Sequence, residues 1–260
     1  MILDAIVAHK RGEVAQKREE TPLAALEEKA YSCPPCRNFR DALRTGGISL
    51  IAEIKRKSPS RGDILPGVEA VEIASIYEQC GARAVSVLTD AKYFGGSTDD
   101  LVKVSNHTHL PCLRKEFIID EYQIYEARAC GASAVLLIVR ILTDAELKSH
   151  LALAHKLGLS VLVETHTEEE INRAKDAGAH IIGINNRNLD TLEIDVNTTM
   201  RLKNRVSGGY TLVSESGIHT RREVKLLEDG GVDAILVGES ILTSGNIRAK
   251  IMELLGHDED

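Results

Sequence analysis

The sequence contains no tryptophan, only three phenylalanines and no long apolar run. A membrane helix needs about 20 consecutive apolar residues, so we expect no transmembrane segment. The first residues, MILDAIVAHKRGEVAQKR, have a charged helical pattern where a secretory signal would need an apolar core. We therefore expect a cytoplasmic protein.

The chain also lacks an excess of basic residues. Its 32 lysines and arginines stand against 39 aspartates and glutamates, which gives a net charge of −7. Nucleic acids and anionic membranes are bound by clustered positive charge, so we expect neither partner. A small-molecule ligand is favoured.

Cysteines are few and odd in number, with five in 260 residues. Only Cys33 and Cys36 have a suggestive spacing, in Cys-Pro-Pro-Cys. The pair lacks the further ligands of a structural zinc site, and it precedes no βαβ unit of the redox type. We expect no metal site and leave the role of these two thiols open.

A repeated pattern organises the chain, in which a glycine ends an amphipathic segment and a short apolar run follows. It occurs at Gly81, Gly131, Gly158, Gly178 and Gly231. The glycine is typical of a helix C-terminus, and the apolar run is typical of a buried strand. The segments LIAEIK, PCLRK and TLVSES bring the number of predicted strands to eight.

Amphipathic segments separate the predicted strands, among them residues 69–80, 120–130, 144–157 and 221–229. A capping box is a threonine that begins a helix together with a glutamate three residues later. Three are predicted, at Thr143 with Glu146, Thr167 with Glu170, and Thr220 with Glu223.

Eight strands that alternate with eight helices predict a parallel sheet, and at 260 residues the closed (β/α)₈ TIM barrel is the natural form. A doubly wound open sheet is the alternative, but no G-x-G-x-x-G follows the first strand. Two more helical patterns, at residues 3–20 and 39–44, precede that strand. We predict an α/β protein with one barrel domain over residues 1–260, in which residues 1–48 form an N-terminal helical extension.

The first predicted strand carries charge on one face. Side chains alternate along a strand, so Ile51, Glu53 and Lys55 share a face while the other face is apolar. If this were the only strand with such a pattern, a half-exposed strand with one solvated face would explain it. Four other predicted strands also end in polar residues, namely Lys115, Glu164, Asn185 with Asn186 and Arg187, and Glu215 with Ser216. Buried charges are costly unless paired, so their convergence at the barrel mouth predicts an active site.

The last two predicted strands end in SESGI and VGES. Barrels of this kind often bind phosphate with the loops after strands seven and eight. Ser216-Gly217 and Gly238-Glu239 offer backbone N–H donors, and glycine has no Cβ to block close approach. Together they predict a phosphate site remote from the reacting carbons.

Eight segments follow one another along the chain in a recognisable order. They are IAEIKRKSPSRG, LTDAKYFGGS, LRKEFI, VLLIVRIL, LVETH, GINNRNL, SESGI and LVGES. In this order they resemble the strand-end motifs of indole-3-glycerol-phosphate synthase, the ring-closing enzyme family of tryptophan biosynthesis. Two residues depart from the usual motifs: Glu116 stands where Asp is common, and Thr165 stands where Val is common.

The resemblance implies a carbon–carbon lyase that needs no cofactor. Its small phosphorylated substrate would be 1-(2-carboxyphenylamino)-1-deoxyribulose 5-phosphate. The product would be indole-3-glycerol phosphate, formed with loss of CO₂ and water. We expect a monomer, and association with other enzymes of the tryptophan pathway is left open.

The resemblance also implies the roles of the charged residues. Lys115 is the general acid that protonates the substrate carbonyl oxygen, and Glu164 is the general base. Lys55 either binds the substrate carboxylate or is the acid in dehydration. Because two cations lie close together, we expect the pKa of one lysine to be lowered.

The remaining predicted site residues bind or orient the substrate. Glu53 would orient the lysines, while Asn185 and Glu215 would hold sugar hydroxyls or intermediates. Phe94 and Phe117 would face the anthranilate ring, or alternatively pack loops onto the barrel. The full set of predicted substrate contacts is Ser58, Phe94, Phe117, Leu136, Arg187, Leu189, Ser216, Gly217, Leu236, Gly238 and Glu239. Ser58 and Arg61 also belong to a loop predicted to cover the substrate.

Three other functions fit the same scaffold. A Schiff-base aldolase would use Lys115 or Lys55 as a nucleophile. A sugar-phosphate isomerase would use a carboxylate base with the same phosphate site, and a non-catalytic sugar-phosphate binder would use that site alone.

Overall fold

The computed structural model describes residues 2–59, 61–65, 67–189, 191–206 and 208–257. Within these ranges, eight parallel strands form a closed barrel. In chain order, strands β1 to β8 are Ser49–Ile54, Ala84–Leu88, Cys112–Lys115, Ala134–Ile138, Ser160–Thr165, Ile181–Asn185, Thr211–Glu215 and Ala234–Val237. The barrel closes between β1 and β8, where Ser49 pairs with Ala234. The predicted TIM barrel is confirmed.

Helices surround the strands and also precede them. In chain order, α1 to α13 are Ile2–Glu20, Leu23–Ser32, Phe39–Ala42, Ala70–Gln79, Ala91–Phe94, Thr98–His107, Glu121–Ala129, Asp144–Lys156, Glu168–Asp176, Asn197–Leu202, Arg221–Asp229, Glu239–Leu242 and Ile247–Leu255. Short 3₁₀ helices cover Val139–Ile141 and Lys203–Val206. The loop after β1 contains a small antiparallel hairpin, Lys57–Ser58 with Gly62–Asp63.

The strands separate two apolar cores. In β1, Leu50, Ala52 and Ile54 pack towards the helices, whereas Ile51 packs inside the barrel. Glu53 shares the inner face with Ile51, and only 6% of its surface is exposed. The predicted alternation is confirmed, and the charged face of β1 is not a solvated one.

The N-terminal extension contains one helix more than the sequence predicts. The additional helix, α2, has Pro22 at its N-cap and no side-chain capping bond. It buries Leu26 and Ala30 and packs against α7. Tertiary packing therefore holds α2, and a search for capping signals does not detect it.

Two predicted capping boxes form in full, at Thr143 and at Thr220. The box at Thr167 forms only by half. The Thr167 hydroxyl accepts a hydrogen bond from the Glu170 backbone N–H at 3.2 Å. The Glu170 carboxylate, however, accepts the backbone N–H of His166, one residue earlier than expected, at 2.6 Å. This places Glu170 beside the residue that directly follows β5.

Helix α1 carries a buried lysine to the carboxyl ends of the strands. Lys10 Nζ lies 3.0 Å from Asp90 Oδ2 and 3.1 Å from Glu116 Oε1. Glu13 adds a contact at 2.8 Å. Burial alone would lower the pKa of Lys10, but the carboxylates of Glu116, Glu13 and Asp90 raise it above its usual value. An ion-pair cluster therefore joins the extension to the barrel.

We expect Lys10→Met to lower the free energy of unfolding by about 3–5 kcal/mol, the usual cost of removing one partner from a buried ion pair. Asp90 and Glu116 would stay buried without the ammonium that they share. Urea unfolding followed by circular dichroism measures the effect. Lys29→Met, at an exposed position of α2, is the matched control. A loss no larger than that of the control would contradict this account of the cluster.

Candidate active site

A cavity of about 160 Å³ opens at the carboxyl ends of the barrel strands. Every residue of the predicted catalytic and substrate-contact sets except Ser58 lines it. Asn186, also predicted at the barrel mouth, does not, because its side chain bonds to Ser214, Ser216 and Thr199 instead. The charged and amide residues in its wall are Glu53, Lys55, Lys115, Glu164, Asn185 and Glu215. The predicted substrate contacts in its wall are Phe94, Phe117, Leu136, Arg187, Leu189, Ser216, Gly217, Leu236, Gly238 and Glu239. Such a concave site with converging polar groups is the expected form of an active site.

The ends of β3 and β5 bring Lys115 and Glu164 into contact. Lys115 Nζ donates a hydrogen bond to Glu164 Oε2 at 3.1 Å. Glu215, from the end of β7, brings its Oε2 to 3.8 Å from the same ammonium. The side chains of Glu164 and Glu215 are each only 2% exposed. A lysine and two carboxyl groups are thus held together out of solvent.

The pKa values of the two carboxyl groups are shifted in opposite directions. Burial, together with the charge of Glu164, raises the pKa of Glu215 to about 8. Burial also opposes ionisation of Glu164, but the Lys115 ammonium outweighs it and holds the pKa of Glu164 below its usual value. The two shifts have opposite directions, so the site favours the carboxylate form of Glu164 and the neutral form of Glu215.

Each lysine of the cavity has its own carboxylate. Lys55 Nζ lies 2.9 Å from Glu53 Oε1, whereas Lys115 pairs with Glu164. Burial would lower the pKa of Lys115, but Glu164, Glu215 and Glu53 raise it above its usual value. The expectation that crowding of the lysines lowers a pKa is wrong for Lys115, because carboxyl groups surround it.

Two glycines leave room for the carboxyl groups. A Cβ on Gly183, inside β6, would collide with Glu215 Oε1, and a Cβ on Gly238 would lie 2.8 Å from Glu53 Oε1. The φ of Gly238 is −130°, so close approach, and not backbone conformation, requires glycine there. Gly238 therefore lies directly against Glu53, one of the charged residues of the cavity. Gly183 was detectable as a glycine within a buried strand.

The loop after β7 has an unusual backbone. Ser216 and Gly217 both lie in the left-handed region, with φ of 68° and 76°. A residue with a Cβ is strained there, and such strain concentrates at functional sites. The strained Ser216-Gly217 step faces the cavity.

Glu239 places a carboxylate beside the predicted phosphate loops. Its Oε1 lies 2.6 Å from Arg61 Nη1, and its Oε2 lies 3.9 Å from Arg187 Nη2. Burial would raise the pKa of Glu239, but Arg61, Lys55 and Arg187 hold it below its usual value. The nearby cations therefore offset the negative charge of Glu239 at this part of the cavity.

The Arg61 ion pair also connects the loop after β1 to Glu239, the first residue of α12, in the wall of the cavity. This is the loop predicted to cover the substrate; its Ser60 lies outside the described residues. Ser58 is directed into a second, adjoining cavity of about 100 Å³, which Leu3 and Ile6 of α1 also line. The structure therefore does not bring Ser58 into the main cavity.

Phe94 and Phe117 form an aromatic pair in the wall of the main cavity. Their ring centroids lie 6.0 Å apart, with the planes tilted by 35°. Both rings also line the adjoining cavity. They are thus in contact with open space and do not serve only to pack loops onto the barrel.

Several residues of the main cavity are absent from the prediction: Leu88, Glu116, Ile138, Ile194, Ile218, His219, Val237 and Ser240. Leu88, Ile138 and Val237 are the last residues of β2, β4 and β8. A search for polar strand ends passes over them. These three residues could have been predicted from their position at the ends of strands, without regard to polarity.

The two cysteines of Cys-Pro-Pro-Cys lie far from this cavity in the fold. Both are free thiols. Cys33 Sγ donates to the Arg128 carbonyl at 3.5 Å, and Cys36 Sγ donates to the Ala132 carbonyl at 3.6 Å. Burial raises the pKa of Cys36, so its reactive thiolate form is disfavoured.

Among the described residues, no three His, Cys, Asp or Glu side chains lie together in an arrangement that could hold a metal ion. The helices of the described ranges are all too short or too polar to span a membrane.

Residues 3–254 match the family model of indole-3-glycerol phosphate synthase. The chain belongs to the indole-3-glycerol phosphate synthase family. Membership confirms the predicted function, a carbon–carbon lyase of tryptophan biosynthesis that closes the indole ring.

Relatives that carry the family's name cover nearly the whole chain. Indole-3-glycerol phosphate synthase of Dehalococcoides mccartyi is 44% identical over 259 residues, which are 98% of this chain and 100% of the relative. The synthase of Roseiflexus sp. is 46% identical over 264 residues, 98% of each chain. Among solved structures, 3-hexulose-6-phosphate synthase from Salmonella typhimurium has a TM-score of 0.66 at 14% identity, over 80% of this chain and 97% of that chain. This last similarity shows the barrel fold alone.

The two departures from the usual synthase motifs have local explanations. Glu116 Oε2 accepts the Thr89 hydroxyl at 2.8 Å, and its Oε1 accepts the Phe117 backbone N–H at 2.9 Å. The Thr165 hydroxyl donates to the Gly183 carbonyl at 2.8 Å, in the neighbouring strand. Both side chains thus form hydrogen bonds with neighbouring residues, and the Lys115–Glu164 pair remains in contact.

Proposed function

We propose that this cavity closes the indole ring with Lys115 as the general acid and Glu164 as the general base. The observation that carries the assignment is the buried contact between these two groups, 3.1 Å long, in the wall of the cavity. An acid and a base of opposite charge are what ring closure followed by loss of water requires. In the free protein Lys115 donates its hydrogen bond to Glu164. For catalysis, Lys115 must instead donate to the substrate carbonyl oxygen.

The first step forms the carbon–carbon bond. The ring carbon that bears the carboxylate attacks the sugar carbonyl carbon, and negative charge develops on the carbonyl oxygen. The Lys115 ammonium stabilises that charge more in the transition state than in the ground state and donates its proton. An alkoxide is more basic than an amine, so the transfer is favourable even though carboxyl groups raise the pKa of Lys115.

Loss of CO₂ then restores the aromatic ring, because the electron pair of the broken bond returns to it. In the last step the hydroxyl leaves as water with a proton from an acid, and the neighbouring carbon gives a proton to Glu164. Lys55, held by Glu53 at 2.9 Å, is the second cation of the cavity. Lys55 could bind the substrate carboxylate or protonate the leaving hydroxyl. Lys55→Met distinguishes these roles, because loss of carboxylate binding raises KM whereas loss of the acid lowers kcat.

We assign the two ends of the substrate to different parts of the cavity wall, the phosphate to backbone loops and the aromatic ring to apolar side chains. We assign the phosphate to the loops at Ser216-Gly217 and Gly238-Glu239, and the aromatic ring to Phe94 and Phe117. The assigned phosphate loops follow β7 and β8, where barrels commonly bind phosphate. Arg187, which lines both cavities, is assigned to the substrate carboxylate. Leu136, Leu189 and Leu236 complete the apolar wall.

Formation of indole from the carboxyphenylamino sugar phosphate tests the proposal directly. We expect a new indole absorbance together with release of CO₂. Both lysines are assigned to proton transfer and electrostatics, so borohydride added with substrate should leave Lys55 and Lys115 unmodified in mass spectrometry. Stoichiometric labelling of either lysine would instead indicate an aldolase.

We further propose that the chain acts as a monomer in the cytoplasm, with residues 1–260 as one domain. The buried ion pairs of Lys10 support the domain assignment because they join the extension to the barrel. Sedimentation of the purified chain tests the monomer, and added enzymes of the tryptophan pathway test for association.

A further inference from the structure

His166 is a half-buried residue beside the proposed general base, and the mechanism above does not use it. It follows β5 two positions after Glu164, so both side chains leave the strand on the same side. Its side chain is 8% exposed, and Nε2 lies 3.6 Å from Glu164 Oε1. Among the described residues, none forms a hydrogen bond with this Nε2 atom. A buried ring nitrogen is thus directed at the base without a bond of its own.

Glu170 fixes the other nitrogen of the ring. Glu170 Oε2 lies 3.2 Å from His166 Nδ1 and also accepts the His166 backbone N–H at 2.6 Å. A carboxylate only accepts hydrogen bonds, so Nδ1 carries a proton. The remaining position, Nε2, is then a bare acceptor in the neutral ring and a donor in the charged ring.

We propose that His166 is a positioning residue that controls whether Glu164 is charged. The imidazolium directs Nε2–H at Oε1 and stabilises the carboxylate. The neutral ring presents a lone pair to Oε1, which repels the carboxylate and accepts a hydrogen bond from the protonated acid. One proton moves between Nε2 and Oε1, and no other bond changes. This inference rests on the proposed role of Glu164 as the general base.

The other groups that face Glu164 come from three strands. Lys115 of β3 is the cation at 3.1 Å, and the Asn185 amide of β6 also donates to Glu164. The pKa of Glu215 of β7 is raised by burial and by the charge of Glu164, which favours its neutral form. Once Lys115 binds the substrate carbonyl, His166 is the group among these residues that can still place a positive charge within contact distance of Glu164. Its effect should therefore be larger in the enzyme–substrate complex than in the free enzyme.

The test is the pH dependence of kcat and kcat/KM between pH 4.5 and 9. An opposite charge at this range lowers a carboxyl pKa by about one unit or more. In His166→Leu the acid limb of kcat should therefore move up by about one pH unit, so that the rate on that limb falls about tenfold. At the alkaline end of this range, the two enzymes should converge.

Two milder variants keep the test valid if His166→Leu folds poorly. His166→Gln retains a donor but no charge, and it should shift the acid limb by less than His166→Leu. Glu170→Gln removes the carboxylate that holds the Nδ1 proton, and it should shift the limb in the same direction. His180→Leu, at an exposed position before β6, is the control and should retain the wild-type profile.

A merely structural role gives a different result. If His166→Leu and Glu170→Gln lower kcat equally at every pH, the proposal is overturned. Glu164→Gln tests the underlying function separately. If Glu164→Gln stays active, the assignment of Glu164 as the general base is wrong. If Glu164→Gln is inactive while the His166 variants keep the wild-type pH profile, only the inference about His166 fails.

Discussion

Lys115→Met is expected to lower kcat by about two orders of magnitude or more, within the range of about 10²–10⁴ that general acid catalysis supplies. Methionine retains most of the side-chain volume but cannot donate a proton to the carbonyl oxygen. KM should change much less, because the phosphate and the ring are assigned to other residues. Indole absorbance at saturating substrate measures the loss.

The fold should survive this substitution. Glu164 loses its cation, but a buried carboxyl group without a partner becomes protonated instead of remaining charged. Lys103→Met, at an exposed position of α6, controls for the loss of a lysine as such. Circular dichroism checks folding. A folded Lys115→Met enzyme that keeps a tenth of the wild-type kcat would remove Lys115 from the role of acid.

Gly238→Asp is expected to raise KM at least about tenfold, or 1.4 kcal/mol, and to lower kcat as well. Its carboxylate would repel a bound phosphate dianion. Its Cβ would also lie 2.8 Å from Glu53 Oε1 and 2.9 Å from Glu53 Cβ. Glu53 holds Lys55, so displacement of Glu53 disturbs the cation and with it the chemistry.

Gly238→Ala separates the two effects because it adds the Cβ without the charge. It should lower kcat with a smaller rise in KM, and competitive inhibition by inorganic phosphate should weaken only in Gly238→Asp. Gly12→Asp, in α1 where a Cβ meets nothing within 4 Å, is the control. An unchanged KM and unchanged phosphate inhibition in folded Gly238→Asp would move the phosphate away from the loops after β7 and β8.

The sequence predicts the strands and most of the cavity because both follow from periodicity along the chain. Glu53 and Lys55 occupy the inner face of β1 for the same reason that Leu50 occupies the outer one. The barrel topology then brings the strand ends together without further information.

The features that the sequence does not predict depend on contacts between side chains from different elements. The pKa of Lys115 is raised because Glu164 and Glu215 arrive from β5 and β7, and spacing along one strand does not show this. Glu170 bonds to His166 instead of completing a capping box. Ser58 lies in the adjoining cavity because the hairpin after β1 orients it there.

The carboxyl group of Glu215 occupies the space that a methyl group on Gly183 would fill. These two positions, on β6 and β7, therefore cannot vary independently as sequences diverge. A lineage that acquires alanine at 183 while it still carries glutamate at 215 must displace a carboxyl group inside the barrel. In the reverse order, in which a shorter side chain at 215 comes first, only Leu162 Cδ1, at 3.2 Å from the new methyl group, must shift slightly. The order of substitutions through evolution is thus constrained by one missing methyl group.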